Sequence, residues 1–134
     1  MRAIAAALTA RGVEPQRVAT EAFGAAPVYA SGIVKNGDRA PHAPDGPAGT
    51  GPTVTFVRSS LAIPWDDRFG NLLDFAEACD VPVAFGCRHG VCHNCESGLV
   101  EGAVSYDYEP LEEPADGRVL VCCTRPASDL ALDL

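Results

Sequence analysis

Three of the six cysteines in this 134-residue chain lie in one short stretch, and their spacing constrains the fold more than any other feature. Residues 87–95 read Cys-Arg-His-Gly-Val-Cys-His-Asn-Cys, a C-x4-C-x2-C pattern. Two further cysteines, Cys122 and Cys123, lie far downstream. For thiols from both regions to meet, a later element must return to the first stretch. The pattern therefore predicts a tight loop over 87–95 beside the end of a later strand.

The cysteine spacing is typical of an iron–sulfur ligand set. A plant-type [2Fe–2S] cluster takes four thiolates, three from a C-x4-C-x2-C run and one from a distant position. Gly86 and Gly90 permit the positive φ angles that a tight curl needs, and such a curl turns amide N–H groups towards the sulfur atoms. The predicted cofactor is a [2Fe–2S] cluster, and its candidate ligands are Cys87, Cys92, Cys95 and either Cys122 or Cys123.

Three other kinds of site fit this stretch less well. Zinc sites usually show paired C-x2-C units, and only Cys92 and Cys95 form one. A Rieske site needs two histidine ligands, and Cys87-x-His89 has no second counterpart, so His89 and His93 are predicted to be loop or rim residues. A redox dithiol is disfavoured because no βαβ pattern surrounds the cysteines. A structural zinc-binding interaction module remains the alternative function.

The remaining sequence of residues 53–134 predicts one compact domain. Apolar alternation predicts strands, and a segment that begins after a capping Asn71 predicts one helix, with Cys79 as a core residue. This order predicts an α+β fold of the β-grasp type, with a mixed sheet, one crossing helix and a cluster loop. The predicted strands are 53–58, 61–65, 99–106 with a break at Gly102, 118–121 and 129–134, and the predicted helix is 72–79.

The first part of the chain differs in composition. Residues 25–52 are rich in proline and glycine and poor in large apolar side chains, which predicts a linker. Its basic side chains, Lys35, Arg39 and His42, are expected to be solvated. Residues 1–24 predict a helix that ends at Gly12, followed by a short strand.

Charge and apolar content limit the classes of partner. The net charge is −8, and the acidic excess lies in residues 51–134. An acidic surface disfavours nucleic acid and anionic membranes and favours a basic partner surface. The chain has no apolar run of the length that crosses a membrane. Because no export signal is recognisable, the cysteines are predicted to be ligands or free thiols of a cytoplasmic protein.

Three segments together resemble a known family. Residues 85–95, then Val-Leu-Val-Cys-Cys-Thr-Arg-Pro at 119–126 and Leu-Ala-Leu-Asp-Leu at 130–134, resemble the C-terminal ferredoxin domain of phthalate-dioxygenase-reductase-type flavoprotein oxidoreductases. The family pattern has its last ligand directly after an apolar strand, which implies Cys122, with Cys123 on the other side of that strand. The resemblance also implies that Arg88, His89 and Val91 form the rim that partners touch.

The resemblance implies one-electron transfer. Electrons would pass from a flavin/NAD(P)H reductase module, in the same or a separate chain, to an acceptor such as an oxygenase. Residues 1–24 resemble the last helix and strand of the nucleotide-binding domain of ferredoxin-reductase-type flavoproteins, so the chain is expected to be the tail of a longer reductase. They carry no glycine-rich phosphate loop and cannot bind NAD(P) alone. The alternative is a stand-alone ferredoxin with an N-terminal docking arm.

Overall fold

The computed structural model describes residues 10–12, 32–33 and 39–134. In chain order the elements are β1 (Gly32–Ile33), β2 (Thr53–Phe56), β3 (Leu61–Pro64), α1 (Leu72–Ala78), β4 (Ala84–Phe85), β5 (Glu96–Glu101), β6 (Val104–Tyr106), β7 (Arg118–Leu120), a 3-10 turn (Val121–Cys123), β8 (Thr124–Pro126) and β9 (Leu130–Leu132). Among the described residues, no helix has the length and apolar character to cross a membrane. The prediction for residues 1–24 lies outside the described residues except at 10–12, where Gly12 has a φ of +88°.

Five strands form one mixed sheet in the order β3-β2-β9-β5-β7. The hairpin β2–β3 is antiparallel, with Thr53 opposite Pro64 and Phe56 opposite Leu61. β9 runs parallel to β2 and antiparallel to β5. Pro64 lies on an edge strand, as predicted, because proline has no N–H to donate to a second neighbour. The mixed sheet with its one crossing helix confirms the predicted α+β class.

Helix α1 packs its apolar face on this sheet. It begins after Asn71, whose side-chain oxygen accepts the N–H of Asp74 at 2.9 Å, so the predicted cap is confirmed. The ring of Phe75 lies 5.1 Å from that of Trp65. Cys79 is fully buried as predicted, and burial raises the pKa of its thiol to about 12. The buried helix residues are Leu72, Leu73, Phe75 and Ala76.

The route of the chain after β7 differs from the predicted strand. The strand ends at Leu120, and Cys122 and Cys123 both lie, buried, in the 3-10 turn. The expectation that strand alternation sends Cys123 to the opposite side is therefore wrong. The chain turns here because it leaves the five-stranded sheet to pair β8 with β6, and the hydroxyl of Thr124 donates to the Leu120 carbonyl at 3.0 Å across the turn. β8 has no counterpart among the predicted strands.

Part of the region predicted to be a linker contacts the domain. Strand β1 pairs antiparallel with β4, just before the cysteine loop. Farther along, the backbone N–H of His42 donates to the Cys79 carbonyl at 2.9 Å. The Nε2 atom of the His42 ring lies 2.8 Å from a carboxylate oxygen of Asp80. The expectation that His42 is merely solvated is wrong, because it pairs with the end of α1. The Arg39 side chain remains largely exposed, 3.8 Å from Asp80, and Lys35 lies outside the described residues.

Candidate metal centre

The loop between β4 and β5 curls tightly, as the cysteine spacing predicts. Gly90 has a φ of +64°, and two non-glycine residues, Arg88 and His93, also adopt left-handed angles of +56° and +58°. The prediction that Gly86 also adopts a positive φ angle is wrong, because its φ is not in the left-handed region. A Cβ at that position would lie 2.8 Å from the Cys92 sulfur, so Gly86 leaves the room that this sulfur occupies.

Backbone amides of the loop surround the first two sulfur atoms. The Cys87 Sγ accepts the N–H groups of His89 and Val91, each at 3.4 Å, and that of Cys92 at 3.3 Å. The Cys87 N–H in turn donates to the Cys92 Sγ at 3.2 Å. Burial opposes ionisation of Cys87, but the N–H donors outweigh it and hold its pKa below the usual value. These amides favour negative charge on sulfur.

The downstream cysteines complete a second group of thiols. Hydrogen bonds from the Cys123 and Cys95 side chains lower the pKa of Cys122 to about 3, and the Gly90 N–H adds to the effect. The hydrogen bond between Cys95 and Cys122 raises the pKa of Cys95. The Cys123 sulfur lies 3.5 Å from the Leu120 carbonyl oxygen. The structure thus brings Cys87 together with Cys92, and Cys122 together with both Cys95 and Cys123.

This donor set suits a binuclear iron–sulfur core. All six cysteines are free thiols. Among the described residues, no three His, Cys, Asp or Glu side chains converge as they would around a single metal ion. A [2Fe–2S] core distributes four thiolates over two iron atoms, two on each. The two thiol pairs and the inward amides therefore fit the chemistry of such a core.

The two loop histidines are engaged by oxygen atoms. The His89 Nδ1 lies 2.6 Å from the Cys87 carbonyl oxygen, and the His93 Nδ1 lies 2.8 Å from Glu96. Glu96 also accepts from Arg118 at 2.8 Å, which joins the loop to β7. The Nε2 atom of His93 is buried and has no hydrogen-bond partner among the described residues. The assignment of both histidines as bystanders stays a prediction.

Arg88 connects the cysteine loop to helix α1. Its guanidinium pairs with Glu77, lies 3.4 Å from Asp74 and covers the Phe85 ring at 4.6 Å. Its carbonyl accepts the Tyr108 hydroxyl at 3.2 Å. Sequence reasoning placed Arg88 on a partner rim and missed Glu77 and Tyr108. Asp74 and Glu77 are spaced i, i+3, which puts both acids on one helix face. This spacing is the sequence signal that could have indicated a binding site for the Arg88 guanidinium on α1.

Replacing Arg88 by glutamine is expected to shorten the lifetime of the bound cluster in air by about tenfold. The change leaves Glu77 without its cation and removes the side-chain contacts that hold a left-handed residue next to Cys87. The decay of visible absorbance measures the lifetime. Arg125→Gln is the matched control, because it also breaks an arginine–carboxylate pair, that of Arg125 with Asp107 at 3.1 Å, and leaves the contacts of Arg88 in place. Equal lifetimes in the two variants would contradict the anchoring role.

Comparison with known proteins identifies the family. The model of the 2Fe-2S iron-sulfur cluster binding domain matches residues 60–127. An NADPH oxidoreductase of Mycobacterium tuberculosis is 38% identical over 88 residues, which are 66% of this chain and 23% of that protein. The ferredoxin-like protein YfaE of Escherichia coli is 35% identical over 81 residues, 60% of this chain and 96% of that one.

A solved structure of phthalate dioxygenase reductase matches with a TM-score of 0.54 and 27% identity. The match covers 65% of this chain and 27% of that protein. The chain thus spans about a quarter of the reductases that it matches and nearly the whole of the small ferredoxin-like protein. The predicted cofactor and the predicted class of function are confirmed. The chain belongs to the family of the 2Fe-2S iron-sulfur cluster binding domain, and it transfers electrons through a [2Fe–2S] cluster.

Proposed function

We propose that Cys87, Cys92, Cys95 and Cys122 hold the cluster, and that the chain relays single electrons from a flavin/NAD(P)H reductase module to an acceptor protein such as an oxygenase. The observation that carries the ligand assignment is the pairing of Cys87 with Cys92 and of Cys95 with Cys122. When bound, the cluster accepts and donates one electron at a low potential, about −400 mV for the plant type. The chain supplies thiolate ligands and amide donors that stabilise negative charge on sulfur.

The relatives support a reductase as the electron donor. Phthalate dioxygenase reductase is a modular structure for electron transfer from pyridine nucleotides to [2Fe–2S]. On this proposal residues 1–24 are the end of a nucleotide-binding domain, 25–52 are a linker and 53–134 are the ferredoxin domain. The second candidate is a stand-alone ferredoxin, which is favoured by the near-complete overlap with the Escherichia coli relative. A cytoplasmic location also belongs to the proposal, and the free cysteines support it.

A docking surface for these partners borders the cluster loop. The Leu111 N–H donates to the Gly90 carbonyl at 3.0 Å, and the Tyr108 hydroxyl donates to the Arg88 carbonyl. Tyr108 and Leu111 are 42% and 43% exposed, so two large hydrophobic residues reach solvent beside the cluster loop. Three exposed acids that form no ion pair among the described residues flank them: Glu109, Glu112 and Glu113. An apolar centre with an acidic border suits a basic partner surface.

The function is tested by mixing the dithionite-reduced, cluster-loaded chain with oxidised cytochrome c, a basic haem protein, under anaerobic conditions. We expect each chain to deliver one electron. We expect the double variant Glu112→Gln/Glu113→Gln to slow the second-order rate at low ionic strength by about two- to tenfold, because electrostatic steering is lost. The difference should vanish at high salt, where the charges are screened.

Glu101→Gln, compared with the single variant Glu112→Gln, is the matched control, because each removes one exposed acidic charge and Glu101→Gln leaves loop 107–113 unchanged. A cluster-loaded chain that delivers no electron would contradict the electron-carrier function itself. A normal electron count with equal rates for all variants would contradict only the docking surface. The assay therefore separates the two parts of the proposal.

A further inference from the structure

Residues 39–51, which we call the N-terminal strap, lie against the domain before β2 begins. We propose that the strap is a pH-dependent latch: the protonated ring of His42 fastens its first half to Asp80 at the end of helix α1, and loss of that proton loosens it. The proposal concerns how the strap is held against the domain. It does not depend on which cysteines bind the cluster or on which protein donates the electron.

The geometry of the His42 ring suits a proton on both nitrogen atoms. Nδ1 lies 2.6 Å from the Ala43 carbonyl oxygen, and Nε2 lies 2.8 Å from an Asp80 carboxylate oxygen. Both oxygens are acceptors without a hydrogen of their own, so each nitrogen must donate. A neutral imidazole carries only one N–H and can keep only one of the two bonds. The arrangement therefore favours the imidazolium, which can keep both bonds.

The charged groups around the ring favour this form at acidic and neutral pH. Among the described residues, those that face it are Asp80, which attracts the proton, and Arg39, which opposes it from the same strap. The bonds to Ala43 and Asp80 raise the pKa of His42 above its usual value. If the pKa of a group is higher in the docked strap than in the free strap, its protonation stabilises the docked state. The stabilisation is complete at a pH below the pKa of the free strap. That stabilisation is lost as pH rises through the docked value.

The second half of the strap is held by contacts that do not titrate. The Gly51 N–H donates to the Trp65 carbonyl at 2.9 Å. Gly49 lies so close to the same carbonyl that a Cβ there would approach its oxygen to 2.0 Å. Gly46, with a φ of +105°, lies beneath the Arg68 guanidinium. The first half keeps one contact of this kind, the bond from the His42 backbone N–H to the Cys79 carbonyl. Loss of the His42 proton is therefore expected to loosen the chain before Gly46, while the end at Trp65 stays in place.

Release of the first half would loosen the chain between β1, which pairs with β4, and the contacts of the second half at Trp65. About seven freed residues have a flexible reach of roughly 15 Å. At lower pH the same residues are held at the C-terminal end of α1. The latch would thus set how closely the strap is held against the domain.

The test is hydrogen exchange, followed by mass spectrometry, on the cluster-loaded full chain at about pH 5.5 and about pH 8. After correction for intrinsic rates, we expect amides in residues 39–45 to be about two- to fivefold more protected at the lower pH. Amides of β7 serve as the internal reference. In His42→Gln and Asp80→Asn the difference should disappear, and an unchanged visible spectrum would show that each variant keeps its fold and cluster.

Two results would overturn the latch. One is equal corrected protection of the wild-type strap at both pH values. The other is a pH difference that persists in His42→Gln, since some other group would then be responsible. Asp80 has a φ of +53°, an angle that asparagine also tolerates, so Asp80→Asn tests the charge without new backbone strain.

Discussion

Replacing Cys122 by serine is expected to lower the iron and sulfide bound per chain by tenfold or more, whereas Cys123→Ser is expected to leave both unchanged. Removal of groups that only support a metal ligand already costs about 10–100-fold in affinity, and removal of a ligand costs at least as much. Cys122 contacts the Cys95 sulfur and receives the Gly90 N–H of the cluster loop. Cys123 lies in the same 3-10 turn, but its sulfur also lies near the Leu120 carbonyl.

The measurement is iron and acid-labile sulfide per chain after anaerobic reconstitution, together with the visible and electron paramagnetic resonance spectra. The two variants are matched, because each removes one buried thiol from adjacent positions. A Cys122→Ser protein that keeps the wild-type content and spectra, beside a Cys123→Ser protein that loses them, would reassign the fourth ligand to Cys123. Loss in both variants would mean that the turn needs both thiols to position either one.

Replacing Gly102 by alanine is expected to lower the free energy of unfolding by about 2–5 kcal/mol. Gly102 separates β5 from β6 and has a φ of +87°, which an alanine adopts at a cost. A Cβ at this position would also lie 2.1 Å from the Asp129 carbonyl oxygen and 2.7 Å from the Leu130 Cα. Both neighbours are backbone atoms at the start of β9, which lies between β2 and β5 in the sheet. The new methyl group must therefore displace part of the sheet.

Gly117→Ala separates the two causes. Gly117 has a similar φ of +71°, but a Cβ there meets nothing within 4 Å. We expect this control to cost about 1–2 kcal/mol, the strain of a left-handed alanine alone. Urea denaturation followed by far-ultraviolet circular dichroism compares the two variants with the wild type. If both variants lose the same stability, the contact with β9 is not the reason for a glycine at 102.

Several elements were predictable because their signals are local. The Asn71 cap, the apolar face of α1 and the break at Gly102 each depend on residues within one turn or one strand, and the structure has all three. The same holds for the curl of the cysteine loop, although its left-handed residues include Arg88 and His93 as well as Gly90. The left-handed Arg88 was not predictable, since the Glu77 contact that holds it comes from helix α1. His93 pairs with Glu96 only three residues along the chain, but no glycine marks its left-handed angle in the sequence.

The amino-acid sequence by itself determined the chemistry of the centre and the class of fold. The cysteine spacing indicates how many thiolates the short loop can offer to a metal centre. The alternation of apolar residues indicates which face of each strand is buried. Only the tertiary structure decided that Cys122 lies in a 3-10 turn beside Cys95, and that His42 meets Asp80. Such contacts join residues far apart in the chain, and their formation depends on the packing of the whole sheet, which no local pattern encodes.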